Sequence, residues 1–256
     1  MHKLGLKLWS TNIDYYFDEA KRLYQEGVYD YIELYVVPET THSIQKWKSI
    51  GVPFTLHAPH FAHGINLAVR EKEDYNLKVF EEVKLFNEEL KAKYVVVHGG
   101  IEGSIEETIR QLMLIPFKNF LIENKPYRAP LGEKKLCRGA SIDEIVKVIQ
   151  SVGCGFCLDV GHAICSANSF GVEPYTFLSE FNKLKPICYH LSDNFIDNAV
   201  DNHLHFGNGN YDFKIIFDII DINKNLVIET NKVSKIDLDD FKKDVDFIKN
   251  IQEMVR

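Results

Sequence analysis

The chain has no apolar run of about 18 residues or more, so no transmembrane helix and no membrane partner is expected. Its first residues, Met1-His2-Lys3-Leu4-Gly5-Leu6-Lys7-Leu8-Trp9, lack the long apolar core of a signal peptide, and a cytoplasmic location is expected. Cysteine is sparse. Cys137, Cys154, Cys157, Cys165 and Cys188 are an odd number in 256 residues, which argues against a disulfide framework. Cys154-Gly-Phe-Cys157 has no second pair to complete a zinc knot. It reads as structural, with a redox or zinc role as the alternative, and Cys157 as a small buried apolar residue. No GxGxxG or P-loop follows the first strand candidate. From Gly139 to Val255 there is no arginine, so that half offers no bidentate phosphate clamp. Any phosphate there must be met by Lys, backbone N–H groups or a metal. Basic charge is outweighed, 30 Lys and Arg against 37 Asp and Glu, for a net charge of -7. That disfavours broad nonspecific nucleic-acid binding without excluding a local basic or metal-lined site. No linker or low-complexity stretch divides the chain, and one domain over residues 1–256 is expected.

What is present is ordinary globular material, 45% hydrophobic and 26% charged, in apolar runs that alternate with amphipathic stretches. Strands are predicted over residues 4–9, 31–36, 53–57, 94–98, 119–123, 155–159, 186–191 and 225–229. Their β-branched and aromatic content carries the assignment, as in Tyr94-Val-Val-Val-His98 and Leu226-Val-Ile-Glu229. Residues 74–91 place Tyr75, Val79, Val83 and Phe86 at helical spacing. Ser141-Ile-Asp-Glu144 has the form of a capping box, and residues 237–254 read as a last amphipathic helix. Strand-then-helix units at roughly 30-residue spacing predict an α/β fold, a single (β/α)8 TIM barrel with its active site at the C-terminal ends of the strands. An open doubly wound sheet is the alternative.

Nitrogen and oxygen donors recur in step with these strands. His57 ends the third, His98 the fourth and Glu123 the fifth. Asp159 ends the sixth, with His162 three residues on, and His190 ends the seventh. Asp201 and His203 lie in the loop that follows, and Glu229 ends the eighth. A lone histidine or acid at a strand end is commonplace. In a barrel these ends converge on one bowl, where so many buried carboxylates repel one another unless cations are present. His, Asp and Glu suit zinc and similar divalent ions, and a metal site is expected. His60 and His63 read as solvated loop residues or as lining of the bowl, with His60 a candidate substrate contact. His42 and His205 carry weaker signals, and His2 reads as a terminal residue without a role. Lys125, Arg128, Lys134 and Lys135 are placed to meet a phosphate or acidic substrate, or else form a solvated loop.

From residue 119 to 230 the order Leu-Ile-Glu-Asn, Leu-Asp-Val-Gly-His-Ala, His-Leu-Ser-Asp-Asn, Asp-Asn-His with Gly207-Asn-Gly-Asn210, and Ile-Glu-Thr resembles the xylose isomerase-like barrel superfamily, and within it the endonuclease IV branch. Weaker matches at His57 and His98 extend the resemblance over most of the chain. It implies that His57, His98 and Glu123 hold one zinc ion. Glu123 as a bridge, Asp159, His190 and Glu229 would hold a second, and His162, Asp201 and His203 a third. Such a centre suits phosphodiester hydrolysis. Isomerases and epimerases of the same superfamily use the subset matching Glu123, Asp159, His190 and Glu229 around one Mn, Co or Zn ion, with Glu123 and Glu229 moving the proton. Glu123, Glu229 and His162 are the candidate catalytic groups. Lys125, Arg128 and His60 are the candidate substrate contacts.

Two segments depart from the endonuclease IV branch. Its Ala-Gly-Gln-Gly segment after the fifth strand is replaced by residues 124–135, and the loop from Tyr35 to His42 lacks its basic and aromatic DNA-reading pattern. The chain is also shorter than typical members. The expected activity is metal-dependent phosphoester hydrolysis, with DNA or a smaller phosphorylated molecule as substrate. The alternatives are isomerisation or epimerisation of a sugar or sugar phosphate, and a non-catalytic metal-stabilised or carbohydrate-binding barrel.

Overall fold

The structure, a computed structural model, describes residues 2–129, 135–221 and 223–254. Its strands are β1 (Lys3–Trp9), β2 (Tyr31–Tyr35), β3 (Phe54–His57), β4 (Val95–His98), β5 (Phe120–Glu123), β6 (Gly155–Asp159), β7 (Cys188–Leu191) and β8 (Asn225–Ile228). Each pairs in parallel with the next, and β8 returns to β1 with Leu6 against Ile228. The barrel is closed, so the open-sheet alternative is excluded. The helices are α1 (Ile13–Gln25), α2 (Ile44–Ser49), α3 (Glu73–Leu90), α4 (Ile105–Leu112), α5 (Ile142–Val152), α6 (Val160–Phe170), α7 (Pro174–Asn182), α8 (Phe213–Ile219) and α9 (Asp239–Met254). Two helices, α6 and α7, connect β6 to β7 where one was expected. β8 stops at Ile228, which leaves Glu229 as the first residue beyond it.

Strand alternation sorts the side chains. Leu4, Leu6 and Leu8 of β1, Ile32 and Leu34 of β2, and Val95 and Val97 of β4 join the large core between strands and helices. The intervening residues therefore face the barrel axis. Near the floor this inner set is aromatic and apolar, with Tyr94, Val96, Leu121, Cys157 and Cys188 in one buried cluster. A Cβ at Gly5 would lie 2.6 Å from the Tyr31 ring, so glycine there makes room for that side chain. Towards the C-terminal ends the same inner parity delivers His57, His98, Glu123, Asp159 and His190.

The helix starts follow local chemistry. Ser141 Oγ caps α5 by accepting from the Glu144 N–H at 3.3 Å. Glu144 does not complete the predicted capping box. Its carboxylate accepts from the Gly139 N–H at 2.7 Å and pairs with Arg138 at 3.2 Å. Arg138 also donates to the carbonyls of Glu102 and Gly103, so the acid is recruited to tie the loops after β4 and β5 together. Asp159 caps α6, its Oδ1 accepting from the His162 N–H at 2.7 Å. The Asp-x-x-His spacing is thus that of a helix cap and its third residue, which points both side chains into the bowl.

Candidate metal centre

Glu123 is the hub. Its Oε2 lies 3.1 Å from His57 Nε2 and 2.9 Å from His98 Nε2, while its Oε1 lies 3.0 Å from His162 Nδ1. The His57 Nδ1–H donates to the Ala58 carbonyl at 2.7 Å. A carbonyl only accepts, so this bond fixes the tautomer and leaves Nε2 as the free donor atom facing Glu123. On the far side, Asp201 Oδ2 lies 3.5 Å from His162 Nε2 and 3.7 Å from His203 Nε2. His203 takes a left-handed backbone with φ of 48°, held by its N–H donating to Asp201 Oδ1 at 3.1 Å.

Beneath these groups lie two residues that the sequence reading missed. Lys7 of β1 and Glu33 of β2 are register partners, with Nζ to Oε1 at 2.7 Å. Lys7 also reaches Glu229 Oε1 at 2.5 Å, and His190 lies between the two acids, Nε2 at 3.0 Å from Glu33 Oε1 and Nδ1 at 3.0 Å from Glu229 Oε1. The available signal was a charged residue at inner parity within an otherwise apolar strand.

Among the described residues five clusters have their ligand atoms within 4.8 Å of one another: His57, His98 and Glu123; Glu123, Asp159 and His190; His57, His190 and Glu229; His162, Asp201 and His203; and, towards the floor, Cys157, Cys188 and His190. Every candidate ligand named from the sequence falls in at least one. The donors also fit a cation electrostatically. Burial pushes the Asp159 carboxyl up to about 6, His162 opposes this, and Asp201, Glu123 and Glu229 add to it. Burial also opposes charge on Glu123, but His98 and Lys125 outweigh it and hold the acid well below its usual range. Burial, reinforced by Lys7 for His57 and by Lys125 for His98, lowers both imidazoles, which keeps them neutral as ligands must be. Among the described residues Asp201 Oδ2 is buried without any hydrogen-bond partner, an unsatisfied state that a cation at this corner would relieve.

Lys125 enters the bowl. Its Nζ lies 3.2 Å from His162 Nε2, 3.4 Å from His98 Nε2 and 3.7 Å from Glu123 Oε1. His60 is half-buried and stacks on His98 with ring centroids 4.9 Å apart, so it lines the bowl and is not a solvated loop residue. Burial, then Lys125 and His57, push its imidazole down to about 2. Arg128 is exposed but lines a side chamber with His60, Lys125, His162 and His203, whereas Lys135 is exposed. Lys134 lies outside the described residues. His63 Nδ1 meets the Tyr35 hydroxyl at 2.9 Å, and His205 Nδ1 meets Asp244 at 2.8 Å. His42 is exposed. His2 corrects its expectation: it is buried at the other end of the barrel against Tyr189 and Phe217. Cys157 and Cys188 are buried register partners, and no disulfide occurs among the described residues.

Asp193, within the His190-Leu-Ser-Asp193 run, is a staple. Its Oδ2 accepts from Gly207 and Gly209 N–H groups, each at 2.9 Å, and its Oδ1 from Asn194 at 2.8 Å and Tyr211 at 3.3 Å. A Cβ at Gly209 would come 2.2 Å from the Asn194 oxygen, so only glycine approaches this closely. The Gly207-Asn-Gly-Asn210 run thereby closes the loop that carries Asp201 and His203.

Residues 25–251 match the sequence profile of the family described as Xylose isomerase-like TIM barrel. Among solved structures, a D-tagatose 3-epimerase-like protein superposes with a TM-score of 0.75 at 18% identity, covering 99% of this chain and 98% of its own. Endonuclease IV from Thermus thermophilus gives 0.71 at 17% identity, over 98% of this chain and 99% of its own. Another Thermus thermophilus protein, soaked with ZnCl2, gives 0.70 at 18% identity, over 99% of both. These likenesses are of fold. No curated protein sequence matches.

Proposed function

Because the chain belongs to the xylose isomerase-like TIM barrel family, we propose that its bowl is a divalent-metal centre that hydrolyses phosphoesters, with a small phosphorylated molecule as substrate. The observation that carries this reading is the outlying cluster of His162, Asp201 and His203, which stands beside the clusters around Glu123 and Glu229. A one-ion isomerase has no use for it. Zinc suits the imidazole-rich donors. His57, His98 and Glu123 would hold one ion, Glu123, Asp159, His190 and Glu229 a second, and His162, Asp201 and His203 a third.

Bound ions would supply Lewis acidity, lowering the pKa of water towards neutrality and neutralising a departing oxyanion. The chain's own residues do the rest. Lys125 donates from within the bowl to a phosphoryl oxygen, and Arg128 extends positive charge along the side chamber. Trp9 and Tyr35 give the main cavity an aromatic wall for the organic part of the ester. The cavity of about 140 Å³ admits a small reacting group. Charge agrees. The acids Glu33, Glu123, Asp159, Asp201 and Glu229 outnumber the ammonium groups of Lys7 and Lys125 that pair with them across the bowl. Three divalent ions make this set cationic, which attracts an anionic ester, whereas one ion leaves it anionic.

A second reading, one-ion isomerisation or epimerisation of a sugar, is favoured by one observation: the Lys125 ammonium already stands between the His98 and His162 ligand groups. Ion counting on protein purified without chelator separates the two, about three zinc ions per chain for hydrolysis against one for isomerisation. Paired assays on model phosphodiesters, abasic-site DNA and a panel of ketoses complete the test. Metal-dependent release of the ester's alcohol is expected. Ketose conversion without ester cleavage would overturn the hydrolase reading. His203→Ala is expected to lower the zinc content by about one ion per chain and to reduce hydrolysis about a hundredfold. An unchanged ion count in that variant would remove the outlying site.

A further inference from the structure

The ring of side chains beneath the bowl contains a cation that the ligand set does not use. Lys7 is 5% exposed, and Glu33 and His190 are fully buried. The ammonium bridges Glu33 Oε1 and Glu229 Oε1, and both acids also hold His190. Thr55 Oγ1 donates to the other Glu33 oxygen at 3.4 Å. A buried carboxylate pair with an imidazole between its members is itself a donor set for a divalent ion. Here that position is filled by lysine. Glu33 accepts from the His190 Nε2–H, which turns Nδ1 towards Glu229 and Glu123, the arrangement that orients a metal-ligating histidine. Lys7 and His190 both engage Glu229 through Oε1.

We propose that Lys7 is a built-in cation of the centre. It fills the position between Glu33 and Glu229, fixes both acids, and excludes a divalent ion from the inner side of the bowl. This rests on reading the bowl as a divalent-metal centre. Lys7 acts through Glu33 and Glu229, so it is a positioning residue. A lysine that served packing alone would change stability on removal and leave the ion count untouched.

The test compares wild-type and Lys7→Met proteins, both stripped with chelator, saturated with zinc chloride, freed of excess ion by gel filtration and counted by plasma mass spectrometry. Lys7→Met is expected to hold about one more zinc ion per chain than wild type, since it leaves the inner acids without a counter-charge. Its melting temperature is expected to fall below wild type without zinc and to recover when zinc is added. An equal or lower ion count overturns the inference. If Lys7→Met does not fold even with zinc, Lys7→Gln, which keeps a polar group beside the acids, is counted in its place. About one more zinc ion per chain than wild type is expected of it as well. An equal or lower count in Lys7→Gln, or failure of both variants to fold with zinc, overturns the inference. If the wild-type protein takes up no ions, the metal-centre reading fails and this inference with it. If wild type takes up ions and Lys7→Met takes up the same number, this inference alone fails.

Discussion

Glu123→Gln is expected to lower turnover about a thousandfold while leaving the barrel folded. The substitution keeps the side-chain volume and removes the charge at the point where the clusters meet. Glu123 Oε2 faces His57 and His98, and Oε1 faces His162, so one carboxylate serves both sides of the bowl. An amide offers one weaker acceptor in place of two charged oxygens and turns its NH2 group towards imidazoles that need a carboxylate. Ion content is expected to fall along with rate. The strands on either side are fixed by backbone ladders and by the outer apolar core, which the change does not touch. Circular dichroism, ion counting and turnover on the same sample make the test. A folded Glu123→Gln protein with wild-type turnover would falsify the assignment of the bowl as the reacting site.

Asp193→Ala is expected to cost about 3–5 kcal/mol of stability. Asp193 is 1% exposed, and its two oxygens accept from the backbone N–H groups of Asn194, Gly207, Gly209 and Tyr211. Each of these bonds is charge-assisted, and truncation leaves several backbone donors buried without an acceptor. For a chain of this size the loss corresponds to a fall in melting temperature of about 10 °C. The damage should also reach the outlying cluster, because the same loop carries Asp201 and His203. Asp193→Asn is expected to cost about half as much, since its amide retains one acceptor oxygen. Thermal melts on both variants check the ranking. A change below about 1 kcal/mol in Asp193→Ala would show that the loop is held by other means.

The barrel was legible because its signals are local and periodic. Runs such as Tyr94-Val-Val-Val-His98 carry strand chemistry in adjacent residues, and the donors at their ends are unusual enough to stand out. Asp159 and His162 were legible together because a helix cap and its third residue have a fixed spacing. What escaped depends on contacts between distant segments. Lys7 and Glu33 are single charges inside strands, and nothing near Lys7 in the chain announces Glu229. Glu144 has the sequence of a capping box, yet Arg138 and Gly139 compete for its carboxylate and win. His60 looked like one more loop imidazole until the loop after β3 folded it onto His98. The acceptors of Asp193 are matched to glycines more than a dozen positions away, and only the turn between them makes the match visible.

Lys7 and Glu229 are 222 positions apart, one on the first strand and the other just past the last. The pocket therefore straddles the seam where the cylinder shuts. A growing polypeptide on the ribosome cannot assemble this corner until Glu229 has emerged. The search for so remote a pairing places its completion among the later and slower events of folding. Cargo that settles in the pocket then acts as a latch on the seam, so loading and resistance to unfolding should rise together.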